Sequence, residues 1–510
     1  MSLKKLEHRT HRVGELIEEY RLGTLVIPEF QRDYVWKPNK APLLLDSLYH
    51  GFPVSSLLVW ESDGKEVRSR RAEPRQAPGR TRWLIDGQQR VITLHRIRFG
   101  DENIDVVFHP LKEQFARANA ATAKDKDWIR VAHIWDPEGF RELLRHGWPK
   151  VVEERIERVH RLLEYEIPAV YMADHSFESA VAAFERINTL GVKLKKQDIE
   201  SARVAARHSG FIRDEVVPVL KKLHSDGYKR IDVGHLFRAC AFLAHPDGRA
   251  RTPLHELSEV DVKKAWKATL KGVEEAKTLL NNELGVTGTE LLPSGALMVP
   301  VIALCATLKP SERNSAEIAG WVALAALMHR YSTSALANLD QDLRVCRADD
   351  PVQALLKNLR QTRSHLRAQL TDFDASLNDR GALFAVYVAC RERNLMDLLS
   401  TETLRTDRGL DRHHIFPRAQ FPELSRTKAD VVPNIAFIKG GTNKSVGAPS
   451  PDVYLRKLAP KILASQCISP EREDWELDAF EDFCNARLKL LSEAFNDFLK
   501  RTFPTRLNMG

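Results

Sequence analysis

The sequence predicts a multidomain α+β chain with three parts: mixed α/β over residues 1–230, helical over 231–370, and a β-prone segment embedded in helices over 371–510. Three observations predict it. Short apolar runs rich in Val, Ile and Trp alternate with amphipathic stretches in the first part. Apolar residues at helical spacing fill the second. In the third, the run from Asp411 to Pro417 carries two adjacent histidines between long helical patterns. At 510 residues the chain can hold two or three cores of ordinary size.

Composition narrows the class. Hydrophobic residues at 43% and charged residues at 29% describe a soluble globular protein and exclude a disordered or fibrous one. A formal net charge of +8 and a pI near 9.0 favour a polyanionic partner, though modestly for a surface this large. The six cysteines have no paired spacing and read as reduced core residues of a cytoplasmic protein. Behind Met1-Ser2-Leu3-Lys4-Lys5 there is no apolar segment, so no signal peptide is expected. The longest apolar run, Gly295 to Ala306, contains Pro300 and falls short of the roughly 18–20 residues of a membrane span. No membrane partner is expected.

The elements follow in order. Ile27 to Trp36 is a polar-aromatic segment before a helix predicted over 39–50 and a strand over 56–61. The basic insertion 63–82 (Lys65, Arg68, Arg70, Arg71, Arg75, Arg80, Arg82) reads as an exposed loop, with a DNA-contacting arm as the functional alternative. Trp83 to Ile85 is a strand, and Val91, Leu94 and Ile97 mark one face of a helix. Asp86-Gly87-Gln88-Gln89-Arg90 therefore straddles a strand-to-helix turn. Gly87 permits close backbone approach, the helix start presents N–H groups, and Arg90 adds a fixed charge: in physical terms, a phosphate-binding corner. Tyr34 and Trp36 are core residues or base-stacking ones. Phe177, Val181, Phe184 and Ile187 fit a buried helix face, with Arg186 and Asn188 as weaker site candidates. Helices are predicted over 257–283, 294–308, 315–331, 352–371, 380–399 and 474–500. Trp321, Leu324, Leu327 and Met328 are core on the third, and Phe480, Phe483, Leu488, Leu491, Phe495 and Phe498 on the last.

The chemistry concentrates in Asp411-Arg412-His413-His414-Ile415-Phe416-Pro417, with Asn434 and Asn443 downstream. Neighbours on a strand point to opposite faces, so His413 and His414 cannot do the same job. The arrangement suits a one-metal hydrolytic site: one imidazole on a hard divalent cation, one taking a proton from water, and amide oxygens completing the pocket. Order and spacing resemble the HNH (ββα-metal) nucleases, in the variant at the C-terminus of GmrSD-type restriction enzymes, down to Pro451-Asp452-Val453-Tyr454-Leu455. The resemblance implies His414 as general base, His413 and Asn443 as metal ligands, Asp411 as an alternative or additional ligand, and Asn434 fixing the rim and orienting His414 through its carbonyl. The implied ion is Mg²⁺ or Mn²⁺.

The Asp86–Arg90 run resembles the DGQQR motif of the ParB/sulfiredoxin-like domain in the N-terminal half of GmrSD-type, SspE-like and BrxU-like proteins. Phe184 to Leu194 resembles a further segment of that family. The resemblance implies a nucleoside triphosphate with Mg²⁺ at Asp86, Gly87, Gln88, Gln89 and Arg90, with Gln31 and Arg32 facing the same cleft. Together these imply a nucleotide-sensing domain (1–230), a helical spacer (231–370) and an HNH nuclease domain (371–510). The implied enzyme acts on modified (phage or phosphorothioated) double-stranded DNA in antiviral defence, and homo-oligomers are compatible with it. The alternative is a nucleotide-switched ParB-like DNA-binding protein whose HNH unit is degenerate.

Overall fold

The computed structural model of the chain describes residues 6–29, 31, 34, 36–62, 81–101, 103–190, 196–245, 253–422, 427–446 and 449–506, without the side chains of 188–190, 196–198, 206, 444, 472 and 474. Arg32, the basic loop up to Arg80, the segment 191–194 and the Asn188 side chain lie outside these. Two compact units, Met1–Pro218 and Val219–Gly510, divide the chain, so residues 231–370 and 371–510 share one unit.

The first unit is built on a mixed sheet of β1 (Glu7–Arg12), β2 (Leu25–Val26), β3 (Leu57–Ser62), β4 (Thr81–Asp86) and β8 (Glu166–Met172), in the order β1-β8-β3-β4-β2. The pairs β1/β8 and β3/β4 are antiparallel, whereas β3/β8 and β2/β4 are parallel. Alternation along β3 divides its side chains between two layers. Leu57 and Val59 enter a core with helices α1 (Val13–Leu22), α2 (Lys40–Tyr49) and α3 (Gln88–Phe99). Trp60 points the other way, near Trp83 and against Phe177 of the helix Phe177–Leu190, with ring centroids 6.4 and 5.4 Å away. A second, antiparallel sheet, ordered β6-β5-β7, joins β5 (Val106–His109), β6 (Gln114–Arg117) and β7 (Ile129–Arg130).

The predicted helix over 39–50 and both predicted strands are present within a residue or two. Val91, Leu94, Ile97, Phe177, Val181 and Phe184 are buried as expected, but Ile187 is 41% exposed. Tyr34 and Trp36 pack half-buried on the core margin, Tyr34 bonding Thr93 (2.8 Å), so neither projects as a free stacking platform.

The second unit is mostly helical. Gly272 lets the long helix Glu259–Leu284 approach Met298–Thr307: a Cβ there would lie 2.5 Å from the Ile302 carbonyl. Pro300 sits in the first turn of Met298–Thr307, where its missing N–H costs the helix nothing. Trp321, Leu324, Leu327 and Met328 are buried, as are all six predicted apolar residues of the last helix, Phe480–Thr502. Several helices are shorter than predicted, and two of them, predicted over 352–371 and 380–399, end well before their expected C-termini. Pro351–Arg360 gives way to a turn held by Arg363 on Asp372 (2.7 Å). Arg380–Glu392 stops where Asn394 takes a left-handed φ of 58°, a common helix terminator. Among the described residues no helix is long and apolar enough to cross a membrane.

Embedded in these helices is an antiparallel pair, β9 (Leu410–His414) and β10 (Ile435–Lys439), followed at once by the short helix Gly440–Val446. His413 stands opposite Ala436, and His414 opposite Ile435. Phe480, Phe483, Ile415, Phe416 and Trp475 form the core beneath the pair. On the neighbouring side of that core the Arg487 guanidinium, fully buried, donates to the carbonyls of Pro433 (2.6 Å), Ile435 (2.7 Å) and Gln466 (3.0 Å). Burial pulls its pKa below the ordinary arginine range. Arg487→Met keeps volume but leaves three buried acceptors without a donor. It is expected to destabilise the unit by about 3–5 kcal/mol, read as a lower denaturation midpoint.

Candidate functional site

Two constellations were expected, one in each unit, and each is described by itself.

In the second unit, β9 carries His413 inward and His414 to a half-exposed position. His413 Nδ1 lies 3.0 Å from Asn443 Oδ1, and Asn443 turns its Nδ2 to Asp411 (3.3 Å). Asp411, His413 and Asn443 thus converge on one side of the strand. Asn443 reaches this point because the helix Gly440–Val446 starts directly after β10. Asp397, fully buried, pins that start by accepting from the Lys439 N–H (2.8 Å) and the Thr442 hydroxyl (2.6 Å). Burial alone would raise the Asp397 pKa, but the bonds from Thr442, Lys439 and Ser400 outweigh it and hold the carboxylate ionised.

The His413 ring is buried, its Nε2 has no hydrogen-bond partner, and Tyr454 packs edge-on at 6.0 Å. Burial lowers its pKa, which favours the neutral imidazole a metal ligand requires. A ring nitrogen and an amide oxygen 3.0 Å apart can share a proton or a cation, since adjacent ligands on bonds of roughly 2.1 Å sit about 3 Å from each other. The donor set fits a hard divalent ion, and Asp411 is placed either to join it or to orient Asn443.

His414 meets a residue that sequence reasoning missed. Its Nε2 is 3.0 Å from Asp430 Oδ1, and Arg418 sits 3.4 Å from the other Asp430 oxygen. The only hint in the sequence was an unassigned acid four residues before Asn434. Asn434 does not orient His414 directly. Its carbonyl accepts from the Ile415 N–H (2.9 Å), one residue further on. Its fully buried side chain binds both Phe416 N–H (2.8 Å) and Phe416 C=O (3.0 Å), and also the Ala429 carbonyl (2.9 Å). Asn434 therefore staples the turn after His414 to the loop bearing Asp430. A cavity of about 900 Å³ reaches the start of β9 at Leu410, Asp411 and Arg412 but is not lined by His413, His414, Asn443 or Asp430, and its walls mix acids (Asp226, Glu274, Glu290, Asp407) with bases (Lys277, Arg380, Arg408).

In the first unit the Asp86–Arg90 turn lies between β4 and α3, as expected. Gly87 has φ +98° and lies so close to Leu57 that a Cβ would meet its side chain at 2.2 Å. The segment 27–36 does reach this turn: Gln31 Nε2 donates to the Ile85 carbonyl (2.6 Å), and the Trp36 N–H donates to Gln89 Oε1 (3.2 Å). Gln31 and Gln88 are buried, while Asp86 is about one-third exposed.

Arg90 departs from the expectation of a charge aimed at an anion. Its guanidinium is buried and donates to the carbonyls of Val54 (2.6 Å), Ser55 (2.5 Å) and Ser56 (2.8 Å), with Asp86 3.6 Å away. Ser55 holds a left-handed φ of 68°, a costly conformation for serine that this three-way grip sustains. Glu29, also missed from sequence, is fully buried and accepts from the N–H groups of Gly210 (2.9 Å) and Arg213 (3.0 Å). Burial raises its pKa, although both bonds oppose the shift.

Elsewhere in this unit His109, Asp125 and Asp127 bring three metal-competent atoms within 4.8 Å of one another, the only such His/Cys/acid group among the described residues.

Residues 13–205 match the N-terminal domain of the GmrSD restriction endonucleases. That span contains the Asp86–Arg90 turn, Gln31 and the whole mixed sheet except β1. An uncharacterized protein of Methanocaldococcus jannaschii is 22% identical over 244 residues, covering 39% of this chain and 42% of that protein. The chain thus spans less than half the length of this relative.

Two stability outcomes follow. Arg90→Ala empties a buried guanidinium site and frees a strained loop whose carbonyls, on half-exposed or exposed residues, water can reach, so it should cost about 1–3 kcal/mol; Asp86→Ala, partly exposed, should cost under about 1 kcal/mol. Chemical denaturation of both variants checks the ranking. Asn434→Ala should cost about 2–4 kcal/mol in the second unit, and a midpoint equal to wild type would show that the staple is not formed.

Proposed function

We propose that the chain is a restriction endonuclease of antiviral defence, with an HNH-type DNA nuclease site in its second unit and a nucleotide-sensing GmrSD-type domain in its first. One observation carries the nuclease reading: two antiparallel strands and a following helix gather Asp411, His413 and Asn443 on one side of β9, with an Asp-paired His414 beside them.

In this reading His413 and Asn443 hold a Mg²⁺ or Mn²⁺ ion, with Asp411 as ligand or as the group that orients Asn443. The bound ion supplies Lewis-acid polarisation of the scissile phosphate and stabilisation of the leaving oxygen. Asp430 accepts the Nε2–H of His414 and so fixes the tautomer that leaves Nδ1 to take a proton from water. Arg418 keeps that carboxylate in place. Arg412, exposed on β9 between Asp411 and His413, is the cation of the hairpin that we assign to the DNA phosphates.

The nucleotide role of the first unit rests on the family match and on the turn that joins Asp86, Gln88 and Gln89 to the segment carrying Gln31. Because Arg90 is engaged with carbonyls, Asp86 and the start of α3 are the groups we assign to the triphosphate and its Mg²⁺. We assign modified DNA as the sensed partner on the resemblance of the Asp86–Arg90 motif to that of the GmrSD-type proteins.

His414→Ala is expected to reduce DNA cleavage about 10²–10⁴-fold while the fold and nucleotide hydrolysis persist. Cleavage should vanish after EDTA and return with Mg²⁺ or Mn²⁺ but not with Zn²⁺ alone. Phage DNA carrying different modifications, with and without each nucleoside triphosphate, is the substrate panel. Near-wild-type cleavage by the His414→Ala protein would remove the nuclease assignment. Asp86→Ala should lose triphosphate binding by calorimetry with the fold intact; unchanged affinity would favour a DNA-binding first unit.

A further inference from the structure

The His109 cluster, on the small sheet β6-β5-β7, shares no residue with either site described above. His109 ends β5, and its ring is buried, with 3% of the side chain exposed. Trp128 packs edge-on against the ring at 5.1 Å between centroids, which limits its rotation. Its Nε2 lies 3.5 Å from Asp125 Oδ2. Asp125 uses its other oxygen to accept the Asp127 N–H (3.1 Å), and a turn closed by the Trp128 N–H on the Asp125 carbonyl (3.2 Å) brings Asp127 to the same point. One imidazole nitrogen and two carboxylate oxygens from segments sixteen and eighteen residues apart thus face a common centre.

The charge there is poorly balanced. Lys112 stands 3.8 Å from Asp125, and its side chain is more than half exposed and can leave for solvent. The Lys112 N–H has the His109 carbonyl as its principal acceptor (3.2 Å), and its 3.4 Å approach to Nδ1 is secondary. The ring is therefore not committed to that contact, and the tautomer with its proton on Nδ1 presents Nε2 as a ligand.

We propose that His109, Asp125 and Asp127 form a second divalent-cation site, which takes Zn²⁺ or Mn²⁺ and clamps the turn Asp125–Trp128 onto the end of β5. One nitrogen and two carboxylates with positions left for water match these ions better than Ca²⁺, which wants six to eight oxygens. Ion binding replaces the ammonium of Lys112 as the local countercharge. The site is independent of the nuclease reading, and its test is designed to stay so.

The test uses the full chain carrying Asp411→Ala, His413→Ala and Asn443→Ala, stripped with chelator, so that the ligands proposed for the nuclease ion are gone. Titration with MnCl₂ or ZnCl₂ by calorimetry, and by Mn²⁺ electron paramagnetic resonance, is expected to show one ion per chain and a higher melting temperature with ion present. Adding Asp127→Asn, a half-exposed position that should fold normally, is expected to weaken binding at least about tenfold and abolish the thermal shift. His109→Gln should do the same. Absence of binding at millimolar ion in the background protein would overturn the proposal, as would equal affinity with and without Asp127→Asn.

Discussion

The hairpin that carries His413 and His414 depends on a charge buried among carbonyls. Arg487 reaches from the last helix into a water-free space and holds Pro433, Ile435 and Gln466 at once. Those contacts bracket Asn434, whose side chain binds Phe416 and Ala429. Moving the guanidinium would release both ends of β10's first residues and, through Asn434, the turn after His414. A charge is expensive to bury, and with no carboxylate among these partners the cost falls on the carbonyl dipoles. That cost is tolerable because each acceptor would otherwise need a donor of its own in the same dry space.

The first unit uses the same device. Arg90 grips three consecutive carbonyls before β3, including that of a serine in a left-handed conformation. Gly87 packs against Leu57 at the head of that strand. The Asp86–Arg90 turn therefore closes the corner between β3, β4 and α3 besides presenting polar groups. An arginine in such a motif has two incompatible readings, ligand contact or internal lock, and the geometry here favours the lock.

Strand and helix positions were legible where periodicity is strong. The faces marked by Val91, Leu94 and Ile97 and by Phe480 to Phe498 are buried because apolar spacing is a local property that tertiary context seldom reverses. Ile187, near the end of its helix, is 41% exposed and breaks the pattern. The adjacency of His413 to Asn443 was implied by the resemblance of the motif to the HNH nucleases, not by local periodicity. Asp430, Asp397, Arg487 and Glu29 were not. Each is an ordinary charged residue in sequence, and its importance comes from long-range partners, such as Glu29 with Gly210 and Arg213, that no local window contains.

This division bears on how the site's residues are to be separated by function. Asn434 and Arg90 carry motif letters yet spend their hydrogen bonds on backbone, so alanine there removes structure and activity together. Asp430 is the reverse: no motif marks it, it is half-buried, and its contact with His414 is a single 3.0 Å bond. Replacing it with Asn keeps the shape but offers an amide to an imidazole that needs an acceptor, which disfavours the tautomer with Nδ1 unprotonated. The loss would then fall on the rate of the chemical step and leave binding and stability nearly untouched, because the change acts on where one proton resides. A residue of that kind tests the chemistry of the hairpin more cleanly than the letters by which the hairpin is recognised.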